Sequence, residues 1–162
     1  MKSTLYTVCL ATLVTWSVPC VAGIADSPLP VLEAGKTTYQ VFSVPGYIRS
    51  GGLSSFFSCT STDTATMQVG VEVFGSAGGA PFNDAVATSL SVVPGGNVIF
   101  GTSSAVGIVV NSNVGGSSHG SARILATSKK LVCTAFVADI GNAPPTTAWQ
   151  LNIIAKTKQK GD

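Results

Sequence analysis

Charged side chains are scarce in this chain. Asp, Glu, Lys and Arg make up 10% of 162 residues, where about a quarter is usual. The signs nearly cancel, nine basic against seven acidic, so there is no electrostatic case for nucleic acid or for an anionic membrane surface. Histidine is scarcer still: His119 stands alone. No second histidine or thiol lies at ligand spacing from either later cysteine, which leaves no zinc pattern. No G-x-S-x-G elbow and no Ca²⁺-loop pattern occurs. No window carries a persistent 3.6-residue apolar stripe with caps, and no internal repeat is evident. Beyond residue 25 no apolar run approaches the roughly 20 residues of a membrane span.

What is present begins with an export pattern. Lys2 gives a positive start, 5–18 is apolar and uncharged, Pro19 breaks the helix, and Ala22, Gly23 and Ala25 are small. This is the layout of a secretory signal. The expected division is a signal helix over 1–25, cut after Ala22, Gly23 or Ala25, followed by one domain over 26–162 with a short Lys-rich end. The expected destination is secreted, periplasmic or extracellular. Pro19 stands where a lipid-attachment pattern at Cys20 wants a small residue.

Signal removal changes the cysteine count. Cys9 and Cys20 leave, so two of the four cysteines remain, Cys59 and Cys133. In an oxidising compartment two thiols allow one internal pairing. The separation of 74 residues (133 − 59) gives a closure worth about 4 kcal/mol in the chain-entropy model. Losing Lys2 also leaves eight basic against seven acidic residues, a balance that does little to oppose self-association.

The dominant period is two. Residues 67–73 alternate Met67, Val69, Val71 and Val73 on one face with Gln68, Gly70 and Glu72 on the other, the mark of a half-buried strand. Similar patterns predict strands over 37–44, 53–60, 88–93, 97–101, 105–111, 121–127, 130–138 and 147–156. Turn signals separate them at Pro45-Gly46, Gly51-Gly52, Pro94-Gly95-Gly96, Gly115-Gly116 and Gly141-Asn142. Eight or nine short strands at this spacing predict an all-β, single antiparallel β-sandwich, Ig-like or jelly-roll-like. Cys59 shares a face with Phe57, and Cys133 with Leu131, Ala135 and Val137. A bridge between two sheets is therefore expected. Immunoglobulin-type sandwiches place a disulfide this way but carry a tryptophan between the cysteines, whereas Trp149 follows both.

Two surface features are candidates for function. The loops 77–87 and 111–120 are long, and the second holds Asn111, Asn113 and His119, a candidate binding loop. Phe56, Phe74 and Phe136 fall on the second face of their strands. That face is either covered or a sticky interface. The acids sit at termini, turns or a strand's polar face, so no glycosidase pair is singled out. Ser117, Ser118 and Ser121 flank His119 too closely in sequence for the rigid geometry of a triad. The expected function is therefore a non-catalytic exported protein that presents a surface. Its partner is either itself, as a homo-oligomer or filament, or an extracellular protein or glycan. No cofactor, nucleic acid or stable membrane span is expected. A small secreted hydrolase or carbohydrate-active enzyme is the alternative.

Overall fold

A computed structural model describes residues 23–156. Most of the expected signal, 1–22, and the Lys-rich end, 157–162, lie outside the described residues. Among those described, no helix is long and apolar enough to cross a membrane.

The described chain is an open antiparallel β-sandwich of ten strands. The strands are β1 Tyr39–Ser50, β2 Leu53–Ser61, β3 Met67–Gly75, β4 Leu90–Val92, β5 Asn97–Gly101, β6 Ser112–Asn113, β7 His119–Ala126, β8 Leu131–Asp139, β9 Ala148–Leu151 and β10 Ile154–Ala155, with one helical turn, α1 Ala85–Thr88. The first sheet runs β4-β3-β7-β1-β10 and the second runs β6-β5-β2-β8-β9. Among the described strands only β5 and β6 pair in parallel. The two layers join through β1, which pairs β7 for most of its length and then pairs β2 at Arg49 and Ser50.

The alternating pattern places the core. Val69, Val71 and Val73 of β3 and Ala122, Ile124 and Ala126 of β7 face Phe57, Cys59, Val98, Phe100 and Ala135 of the second sheet. A fully buried Phe or Val contributes about 1.5–3 kcal/mol, so these two inner faces are the main apolar stabilisation.

Cys59 and Cys133 are bonded to each other. They are directly opposed residues of β2 and β8, with Cα atoms 4.1 Å apart, the close approach of a non-hydrogen-bonded antiparallel pair. The bridge therefore ties neighbouring strands of one sheet. The expected link between two sheets is corrected: both cysteines face the core, but from adjacent strands of the same layer.

Three stretches depart from the sequence pattern. Pro45-Gly46 is not a turn; β1 runs through it with a shift of register against β7 between Val44 and Tyr47. A bulge tolerates the missing proline N–H. Residues 105–111 form no strand. They belong to a loop that crosses the outer face of the second sheet and is tied by Val106 N–H to Ile140 O and Asn111 N–H to Ile99 O. The apolar run at 147–156 splits: β9 pairs β8 and β10 pairs β1, so the chain changes sheets between them.

The outer face of the first sheet is covered from within the chain. Leu32, Ala85 and Leu125 form a second apolar cluster there. Gly70 makes room for it: a Cβ would stand 3.1 Å from Leu32 Cδ2 and 3.2 Å from the Ala85 carbonyl. Below the cluster lies a buried ion pair, Arg123 Nε to Glu72, from opposed residues of β7 and β3. The guanidinium also donates to the carbonyls of Ser27 (2.9 Å) and Pro28 (3.0 Å) and sits 5.2 Å from the Phe74 ring centroid. Charges taken out of water need this full set of partners. The free edge of β3 is covered as well. β4 pairs Met67 to Val69, and Asn83 accepts from Val73 N–H and donates to the Val71 carbonyl.

Candidate functional site

At one end of the first sheet an open cleft of about 560 Å³ is lined by Gly23, Ile24, Pro45, Gly46, Tyr47, Phe74, Gly75, Ser76, Gly78, His119, Gly120 and Ser121. Its floor is the last cross-strand set of β1, β7 and β3, where Gly120 opposes both Tyr47 and Gly75. The close approach explains the glycine. A Cβ on Gly120 would lie 1.8 Å from the Phe74 carbonyl oxygen, so no other residue fits without parting the strands. Glycine in a strand interior is the signature of such an approach.

Tyr47 braces one wall. Its ring is buried, and its hydroxyl accepts from Ser117 N–H at 3.0 Å and bonds Ser117 Oγ at 3.1 Å. Gly116 has φ +124° and passes so close that a Cβ would meet that hydroxyl at 2.8 Å. Arg49 then fixes the same loop by donating to the Gly116 carbonyl. The wall is thus rigid although its sequence is rich in Gly and Ser.

His119 is exposed at the start of β7, opposite Ile48. Its Nδ1 is 3.1 Å from Ser118 Oγ. No acidic side chain lines the cleft among the described residues. Each of the six described acids has a partner: Asp26 on Gly23 N–H at the cleft wall, Glu33 on Lys36, Asp63 on Ser128 and Lys130, Glu72 on Arg123, Asp84 on the first turn of α1, and Asp139 on the 142–147 loop. Two of these are held in the ionised form. The Ser128 hydroxyl and the Thr64 N–H lower Asp63 to about 2. For Asp139 burial alone pushes upward, but bonds from Thr146, Thr147 and Asn142 outweigh it and the net shift is downward. Among the described residues no three His, Cys, Asp or Glu side chains gather as a metal site.

The structure does not assemble Asn111, Asn113 and His119 into one binding loop. Asn111 Oδ1 accepts from Ile99 N–H, and Asn113 Oδ1 accepts from Gly115 N–H. Both amides hold the backbone beside β5, whereas His119 belongs to β7. The aromatic set is also corrected. Phe56 and Phe74 are buried, 0% and 1% exposed, so neither is a surface residue. Phe56 stacks on Phe136 with centroids 5.3 Å apart, and the 102–111 loop closes over it, Val110 meeting Gly101 beside the Phe56 ring. Phe74 lies beneath Arg123. Phe136 is half-buried. The residues that shape the cleft and were missed in the sequence are Tyr47, Gly75 and Gly120; Ser121 was noted only as a neighbour of His119. Their one signal was glycine at 75 and 120 closing two otherwise regular strands.

The fold and the cleft define an antiparallel β-sandwich with a rigid surface recess whose lining residues include no acid. Comparison with protein-family models, with curated proteins and with solved structures finds no match to this chain.

Proposed function

We propose that this is an exported, non-catalytic β-sandwich whose working surface is the His119 cleft, used to hold a partner or glycan. One observation carries the reading: the residues lining the cleft offer hydroxyls, one imidazole and apolar walls, and the one carboxylate at its wall, Asp26, is bound to Gly23 N–H. Such a site can hydrogen-bond and pack a ligand, but it lacks the second group that general acid–base chemistry requires. A disulfide in the core fits an oxidising compartment. The test is retention of the protein on an array of immobilised neutral and acidic glycans. His119→Ala and Ser121→Trp, the second filling the recess, should abolish retention with the melting temperature unchanged. Wild-type protein that is not retained, or variants retained like wild type, would overturn the proposal.

A self-assembly reading keeps one specific support. Among the described residues β9 pairs only β8, and it carries Trp149, 57% exposed, on the outer edge of the second sheet. Size exclusion with light scattering decides it, and a clean monomer across a wide concentration range sinks it.

A further inference from the structure

The segment ahead of the sandwich is folded into the body of the protein from its first described residue. Residues 23–27 make a tight turn in which the Gly23 carbonyl accepts from Asp26 N–H at 3.3 Å and Ser27 N–H at 3.0 Å. Gly23 N–H donates to Asp26 Oδ1 at 2.6 Å. The turn presents the Ile24 and Ser27 carbonyls, and the next residue the Pro28 carbonyl, to the buried guanidinium of Arg123. Gly23 and Ile24 also wall the cleft.

We propose that the export signal is removed at the Ala22–Gly23 peptide bond, and that the amino group so released docks on Asp26. The inference rests on the export reading above. In the step, water adds across the amide. Ala22 departs with the signal as a carboxylate, and Gly23 keeps the nitrogen, which is protonated at neutral pH. Of the three cuts the sequence permits, this one alone keeps every bond of the turn. A cut after Gly23 removes the carbonyl that holds Ser27 N–H, and Ser27 is buried, so its donor loses its partner. A cut after Ala25 also removes Ile24. It places a new cation on Asp26, next in sequence to the residue whose carbonyl binds Arg123, and so brings like charges near each other. The cut after Ala22 instead turns a neutral N–H donor, already 2.6 Å from a carboxylate, into a charged one, which strengthens the contact. In the sequence, Cys20 and Ala22 then occupy the small-residue positions before the cut.

Expression of the full chain in a secreting host, followed by intact mass and N-terminal sequencing of the exported product, tests the site. The expected first residue is Gly23. An exported product beginning at Ile24 or Asp26 overturns the inference and leaves export standing, while a chain retained uncut overturns both. Asp26→Asn on the exported protein tests the docking, because it keeps an acceptor and removes the charge. The amine's pKa is raised by its partner, so its stabilisation is present below the free-amine value near 8 and is lost as pH rises through the paired value. The substitution should lower Tm by about 2–4 °C at pH 7, and the difference should close near pH 10. A difference unchanged between the two pH values overturns the docking.

Discussion

Arg123→Met tests whether the outer face of the first sheet is held by its buried charge. Methionine keeps most of the apolar stem but removes the guanidinium. Glu72 is then left as a carboxylate only 6% exposed, with its ion partner gone, and the carbonyls of Ser27 and Pro28 lose their donors. Breaking one side of a buried pair costs about 3–5 kcal/mol. At about 3–4 °C per kcal/mol for a domain of this size, Tm should fall by roughly 10–20 °C. A second variant, Glu72→Leu with Arg123→Met, removes both charges and should recover a large part of that loss, because the penalty comes from the orphaned carboxylate. Urea unfolding followed by circular dichroism, with the disulfide intact, gives both values. Limited proteolysis supplies an independent readout, since the single variant should free the 23–38 segment for cutting near the exposed Glu33–Lys36 turn. A single variant that loses less than about 1 kcal/mol, or a double variant no more stable than the single one, would refute the reasoning.

Three other outcomes follow from the same structure. Replacing Cys59 and Cys133 together by alanine should cost about 4 kcal/mol through the 74-residue closure, read as a fall in urea midpoint; a loss below about 1 kcal/mol would mean that the β2–β8 ladder confines these strands without the bridge. Gly120→Ala should prevent folding or give a grossly destabilised protein by thermal melt, because its Cβ overlaps the Phe74 carbonyl; a stable, wild-type-like protein would show that β3 and β7 can part here. Asp63 has its native pKa lowered from 3.8 to about 2, so it adds stability above the higher value and loses it as pH falls toward the lower one. Asp139 acts in the same direction. Asp63→Asn should therefore flatten the acid limb of a Tm-against-pH curve, and an unaltered limb would exclude its role.

The sequence made the two-residue period legible wherever one face is core and the other polar. Residues 67–73 are the clearest case, and the core valines of β3 lie where alternation put them. Alternation reports which residues share a face but not what covers that face. Phe74 and Phe56 were therefore legible as second-face residues and illegible as buried ones. Their covers, the 23–32 segment and the 102–111 loop, carry no period. Pro45 reads as a break because proline lacks a donor, and only pairing with a distant strand reveals a bulge. The split of 147–156 was hidden because both halves are apolar and extended. In the site, His119 was visible as the sole histidine. Tyr47 and Gly75 were not, because the cleft exists only where three strand ends from distant parts of the chain meet.

The pairing of distant strands also governs when this chain can acquire its shape. Tyr39–Ser50 finds its main partner at His119–Ala126, Met67–Gly75 finds the same partner, and Leu53–Ser61 finds Leu131–Asp139. Apart from the tight join of β1 to β2 and the short β3–β4 and β2–β5 ladders, the first half of the chain has little to pair with until its last third has emerged. Contacts so remote in sequence make collapse into the native sheet late and slow. A chain whose pairing waits in this way would still be extended enough to pass a narrow translocation pore before folding on the far side, as the export proposed above requires.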